Sequence, residues 1–256
     1  MIAAMKLLFL CSAIFLAAFI DSIAGGGGLI SLNSYNVAGI SGQDSLGTNK
    51  FSSFIGGILA CANYIKTKNY HLPSLISAFL GALAGSAAGS NLALSVNKDV
   101  FNIIMLVATP IVAVITFIKK DFSNCEAKPM SRAMYIIFGA LIGIVVGFYD
   151  GFYGPGAGMF MQLGFIMICK LEPIKAAGNA RMVNAASNLA ALITFMVSGN
   201  VVYAVAIPCA CCSIIGNIVG SRMAIKKDVK IIRPVMFIVV SLLFAKILLD
   251  FLGVKF

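Results

Sequence analysis

Apolar positions fall in long runs along the chain. They cover residues 7–20, 51–65, 72–95, 100–118, 132–149, 182–198, 201–221 and 231–252. A membrane-spanning helix needs about 20 predominantly apolar residues, so these eight runs are read as transmembrane helices. Two shorter apolar blocks, 28–40 and 156–169, each follow a glycine-rich break, Gly25–Gly28 and Gly154-Pro155-Gly156. Apolar blocks too short to span are read as re-entrant or half-depth segments. The expected fold is an all-α polytopic membrane protein with about eight full transmembrane helices and two short broken helices.

The pattern repeats. Asp21-x-x-x-Gly25-Gly-Gly-Gly28 matches Asp150-x-x-x-Gly154-Pro-Gly156-Ala-Gly158. Gly47-Thr-Asn49-Lys50 matches Gly178-Asn179-Ala-Arg181 at an offset of 131, and the same offset carries Gly85 and Gly89 onto Gly216 and Gly220. The last two pairs are G-x-x-x-G in apolar helices, a spacing that lets two backbones approach closely. Three matches in order predict a duplicated chain, 1–125 and 126–256. Five segments per half is an odd number, so the halves are expected to be inverted relative to each other.

Composition removes other classes. Sixty per cent of residues are apolar, eleven per cent are charged and mean hydropathy is +0.99, against about 45–50% and 25% in soluble domains. No room remains for a soluble catalytic domain. The net charge of +10 is read through the positive-inside rule, not as a nucleic-acid footprint. If the short segments do not return the chain, Lys and Arg outside the helices divide eight to ten between the two sides. If each returns it across or halfway, one side keeps Lys6, Lys50, Lys98 and Lys255 and the other collects fourteen. The second arrangement is preferred, with both termini outside; eight crossings is the alternative. The start of the chain imitates a signal peptide but is read as the first membrane helix, because Asp21 interrupts the cleavage region. The seven cysteines, three of them clustered at Cys209, Cys211 and Cys212, and a single His71 are read as packing residues, with no metal and no cofactor.

The breaks and charges point to a site. Backbone N–H groups freed in hydrocarbon persist only where they line a polar cavity or are buried in protein. A half-helix starting after each break aims its positive end at that cavity, which suits an anion. Lys50 and Arg181 are read as opening a helix in each half, where a cation opposes the dipole. They are expected to face the cavity with Asn49 and Asn179; the alternative is a pair of snorkelling interfacial anchors. Asp21 and Asp150 are read as proton-relay carboxylates, as partners for the two cations, or as caps for freed N–H groups. Asn184 and Asn188 form an i, i+4 polar stripe with Arg181, and Gln162 is a candidate to join it. The expected substrate-binding set is Gly25, Gly26, Gly27, Gly28, Asn49, Lys50, Gly154, Gly156, Asn179, Arg181, Asn184 and Asn188, with Asp21 and Asp150 for proton coupling.

The stretches DSIAGGGGLISLNSYNVAGISGQDSLGTNKFSS, GFYDGFYGPGAGMFM and NARMVNAASNLAAL resemble the TauE/SafE sulfite-exporter family over nearly the whole chain. The resemblance maps family motifs onto Gly25–Gly28, Gly47–Lys50, Asp150, Gly154–Gly158 and Asn179–Asn188. It implies a duplicated multi-pass protein of the bacterial inner membrane that carries sulfite, small organosulfonates such as sulfoacetate, or related organic acids. The expected function is therefore secondary transport of a small anion by alternating access, not enzymatic catalysis. The alternative is a membrane-embedded scaffold or accessory subunit without transport. The expected partners are the anion and membrane lipid, with protons as a candidate coupling ion.

Overall fold

The computed structural model describes residues 2–97, 100 and 130–227. These residues form eight helices and no strand: α1 (Ile2–Ala24), α2 (Gly27–Val37), α3 (Gln43–Lys66), α4 (Leu72–Ser95), α5 (Arg132–Phe152), α6 (Ala157–Met167), α7 (Pro173–Val197) and α8 (Tyr203–Lys227). Five are long and apolar enough to cross a membrane: Met5–Ile23 within α1, and α4, α5, α7 and α8. The expected spans 100–118 and 231–252 lie outside the described residues.

Two helix starts differ from the sequence expectation. Helix α3 begins at Gln43 rather than 51, and α7 begins at Pro173 rather than 182. Lys50 and Arg181 therefore lie two turns or more inside their helices and do not open them. The physical reason is inward burial. Gln43, Ser45, Thr48, Asn49 and Lys50 on α3, and Asn179, Arg181 and Asn184 on α7, face other helices. A hydropathy run measures suitability for lipid, so it misses helical turns whose polar side chains are enclosed by protein. Pro173 fits the first turn of α7, where its missing N–H costs nothing.

The exterior is apolar. Leu8, Ile76, Leu80, Ile137, Leu141, Val145, Ile193 and Ile215 are exposed, while many serines and asparagines are buried. That inversion suits a molecule whose outer surface meets hydrocarbon.

Helix pairs approach through small residues, because lipid supplies no hydrophobic force between helices and close packing must do so. A Cβ added at Gly85 or Gly89 of α4 would run into the carbonyls of Ile144 and Phe148 on α5. One added at Gly216 or Gly220 of α8 would run into those of Phe15 and Phe19 on α1. Phe15 and Phe19 stand 129 residues before Ile144 and Phe148, so the two contacts are matched. The same reciprocity holds at the helix ends. Gly47 abuts the Asn200 carbonyl and Gly178 abuts the Asn69 carbonyl. Val202 N–H donates to Thr48 Oγ1 at 3.1 Å, and His71 N–H donates to Asn179 Oδ1 at 2.9 Å. Each contact reappears between residues shifted by 131 positions, with the roles of the two partners exchanged.

Helices α2 and α6 are 11 residues long, about 16 Å at 1.5 Å per residue, roughly half the hydrocarbon thickness. On α2, Leu32 packs with Leu46, Phe195 and Val201, and Tyr35 with Leu10 and Ile14. This short helix leads back toward the end of the bundle where α1 begins. Helix α6 leads the opposite way: Phe165 and Ile166 pack with Leu75 and Ala176.

Candidate functional site

Both breaks rest on backbone that favours glycine. Gly25 has φ 73°, Gly154 has φ 98° and Gly156 has φ 77°, a left-handed region that is strained for a residue with a Cβ. The breaks also meet. Met159 N–H donates to Gly25 O at 3.0 Å, and a Cβ on Gly158 would lie 2.9 Å from Gly25 Cα. Two half-helix starts, α2 at Gly27 and α6 at Ala157, thus converge on one region, as broken-helix carriers place their binding sites.

A narrow cavity opens there. It is lined by Asp21, Gly25, Gly27, Gly28, Asn49, Lys50, Asp150, Gly154, Asn184 and Asn188 from the expected set. Ser31, Ser52, Ser53, Ser213 and Asn217 line it too. An adjoining cavity shares Asp21, Gly25, Gly158 and Asn184 and adds Arg181 and Gln162. Three expected residues line neither space: Gly26, Gly156 and Asn179. Gly26 and Gly156 are the N-caps of α2 and α6. Asn179 is committed to the start of α4, accepting from His71 N–H and donating to His71 O at 3.2 Å and to Ser74 Oγ at 3.1 Å. Ser213 and Asn217, outside the expected set, form an i, i+4 pair on α8, a spacing that puts both on one face of the helix.

The charges pair across the halves. Lys50 Nζ lies 2.8 Å from Asp150 Oδ2, with both side chains almost wholly buried. Arg181 Nη1 pairs with Asp21 Oδ2. Lys50 and Arg181 are therefore internal cations, not anchors at the membrane surface, and the two aspartates face cations rather than capping freed N–H groups. Ser187 donates a hydrogen bond to Asp150 Oδ2 at 2.5 Å, completing a three-member cluster. Asn188 Nδ2 donates to Asn184 Oδ1 at 2.5 Å. Other donors lack protein acceptors: Arg181 Nε, Arg181 Nη2 and Gln162 Nε2 are buried without one. Such a donor costs about 1–3 kcal/mol, more when charged.

A wider cleft lined by Ile58, Ile65, Ile76, Phe79 and Leu80 opens on the apolar exterior. Its lining is apolar apart from the Cys61 thiol and carries no charged group to orient an anion, which suits lipid-facing surface.

One titration follows from the α4 start. His71 lies just before that helix, with Nδ1 2.9 Å from Ser74 Oγ and its ring 4.2 Å from Tyr135. Partial burial, and after it the charge of Lys175, lower its pKa from the usual imidazole value. A lowered folded-state pKa means the neutral ring is favoured by folding. Its contribution is full above about pH 6.5 and is lost as the pH falls from there through the folded value. The melting temperature in detergent should decline over that window, and His71→Gln should flatten the decline. An identical pH profile in the variant would count against this account.

Comparison with known proteins agrees with the architecture. The model of the sulfite exporter TauE/SafE family matches residues 10–247. The "Probable membrane transporter protein YfcA" of Escherichia coli (strain K12) is 34% identical over 236 residues, covering 92% of this chain and 87% of that protein. The "Probable membrane transporter protein ORF9" of Sinorhizobium sp is 34% identical over 244 residues, 95% and 93% of the two chains. A "Probable membrane transporter protein" of Haemophilus influenzae is 30% identical over 236 residues, 92% of each. The chain belongs to the TauE/SafE family, and it is a multi-pass membrane protein whose relatives are named as transporters rather than enzymes.

Proposed function

We propose that this TauE/SafE protein is a secondary transporter of the bacterial inner membrane that moves a small anion by alternating access between inverted halves, 1–125 and 126–256. Sulfite, an organosulfonate such as sulfoacetate, or a related organic acid is the cargo this reading favours. The observation that carries it is the crossed pairing of Lys50 with Asp150 and of Arg181 with Asp21, beside two broken helices that share one polar cavity.

The chemistry is competition. Charge at this depth is costly, a few kcal/mol per group on insertion scales, and each cation is held by a carboxylate. An entering anion competes with Asp21 and Asp150 for the cations. Protonation of either carboxylate would leave its cation to the anion, which gives a route to proton coupling. The matched contacts of Gly47 with Asn200 and Gly178 with Asn69 support a two-fold relation between halves. Helices α2 and α6 leading to opposite ends support access from either side in turn.

Orientation follows from the loop charges. Lys50 and Arg181 are internal, so they leave the loop count, and fourteen to four becomes thirteen to three. The bias remains. It favours a cytoplasmic position for the end bearing Lys66, Lys68, Arg132, Lys170, Lys175, Lys226 and Lys227.

Proteoliposomes containing the purified chain should take up labelled sulfite or sulfoacetate, faster with a pH gradient. A double Lys50→Ala, Arg181→Ala variant should lose this flux to below about one per cent of wild type, since two charge-assisted contacts are removed. Normal flux in that variant would sink the site assignment. No flux for any anion, with a protein partner retained through purification, would favour the scaffold reading.

A further inference from the structure

The two ion pairs occupy matching places but are not equivalent. Lys50–Asp150 is closed: Ser187 hydrogen-bonds Asp150 Oδ2, and Asp150 and Lys50 are both almost completely buried. The residue matching Ser187 at the offset of 131 is Gly56, which has no hydroxyl. Asp21 accordingly lacks that third partner and is the more exposed carboxylate, 17% against 4% for Asp150.

The cations differ as well. Arg181 uses Nη1 for Asp21 and leaves Nε and Nη2 without protein acceptors, although it is 4% exposed. Nε and Nη2 form one edge of the guanidinium, a fork that matches two oxygens of a carboxylate, sulfite or sulfonate group. Gly57 lies against that side of the group. A Cβ there would come within 2.7 Å of Nη2 and 3.6 Å of Nε.

A third donor lines the same cavity. Gln162 on α6 is 2% exposed, and its Nε2 has no protein acceptor. In the register set by the helix starts Gly27 and Ala157, the matching residue of α2 is Leu32. One half therefore offers an apolar side chain where the other offers a buried amide.

We propose that Arg181 and Gln162 form the docking point for one oxyanion group of the cargo. This rests on the transport reading above. Asp21 holds Nη1 and orients the guanidinium, and the free edge together with the Gln162 amide receives two or three oxygens. The donors are N–H groups on a planar fork, which selects an anion with at least two oxygens on one atom over a halide.

The test is sulfite flux in proteoliposomes, resolved into KM and maximal rate. Gln162→Leu gives the second half the residue that the first half already buries, so the fold should tolerate it. Its KM for sulfite should rise about tenfold, the loss of one hydrogen bond to a charged group, with the maximal rate within about threefold. Arg181→Lys keeps the charge and loses the fork. In detergent, the rise in melting temperature that sulfite gives the wild-type protein should be absent from that variant, and chloride should give no such rise in either protein. An unchanged KM in Gln162→Leu, or a full sulfite response in Arg181→Lys, overturns the docking point while leaving transport standing. A wild-type protein that neither transports nor is stabilised by sulfite or sulfoacetate overturns both readings.

Discussion

Replacing Lys50 by methionine should destabilise the protein by about 3–5 kcal/mol, because it leaves Asp150 buried without its counter-charge. The stem of the side chain is nearly preserved, so little packing is lost and the charge dominates. Ser187 cannot compensate, since it donates only one hydrogen bond to Asp150 Oδ2. Combining Lys50→Met with Asp150→Asn should recover more than half of the loss, because neutral groups tolerate burial where a lone carboxylate does not. Chemical unfolding in detergent micelles measures both variants. A double variant no more stable than the single one would mean that the ion pair is not what the substitution disturbs.

The second large effect belongs to the helix ends. Gly47→Ala and Gly178→Ala should each cost about 3 kcal/mol or more, the upper part of the range for overpacking. The added methyl group would meet backbone carbonyls, Asn200 O in one case and Asn69 O in the other, and neither has a flexible tip that can swing away. The same places hold Val202 N–H on Thr48 Oγ1 and His71 N–H on Asn179 Oδ1, so displacement would also break a hydrogen bond. The informative result is equality. If the halves are truly exchanged copies, the two variants should lose stability within about 1 kcal/mol of each other. A large cost at one position and none at the other would show that the match is formal rather than energetic.

Much of this architecture is readable from residue types. The apolar runs locate α4 and α5 closely and α1 and α8 to within about six residues at each end, because lipid-facing helices must be apolar on most of their surface. The glycine breaks locate the starts of α2 and α6, since those positions need left-handed backbone or close approach. The repeat pairs Asp21 with Asp150 and Lys50 with Arg181. What stays hidden is their crossing. Whether Lys50 meets Asp21 or Asp150 depends on how the halves pack, which no local pattern encodes. The polar first turns of α3 and α7 are missed for a related reason: hydropathy assumes that the surroundings are lipid, and here they are other helices. Asn179 shares a motif with Arg181, yet positions two apart on a helix face different directions. Gln162 stands out in the sequence as an amide in an apolar segment, and the structure adds that its Nε2 is buried without a protein acceptor.

The crossed pairing has an implication for how such a chain could be assembled. Among the described residues both ion pairs join distant stretches of sequence: Asp21 and Lys50 each meet a residue beyond 125, and Asp150 and Arg181 each meet a residue before it. The acid and the base occupy the same places in both halves. A fragment carrying only one member of each pair would leave its acid and its base without these partners.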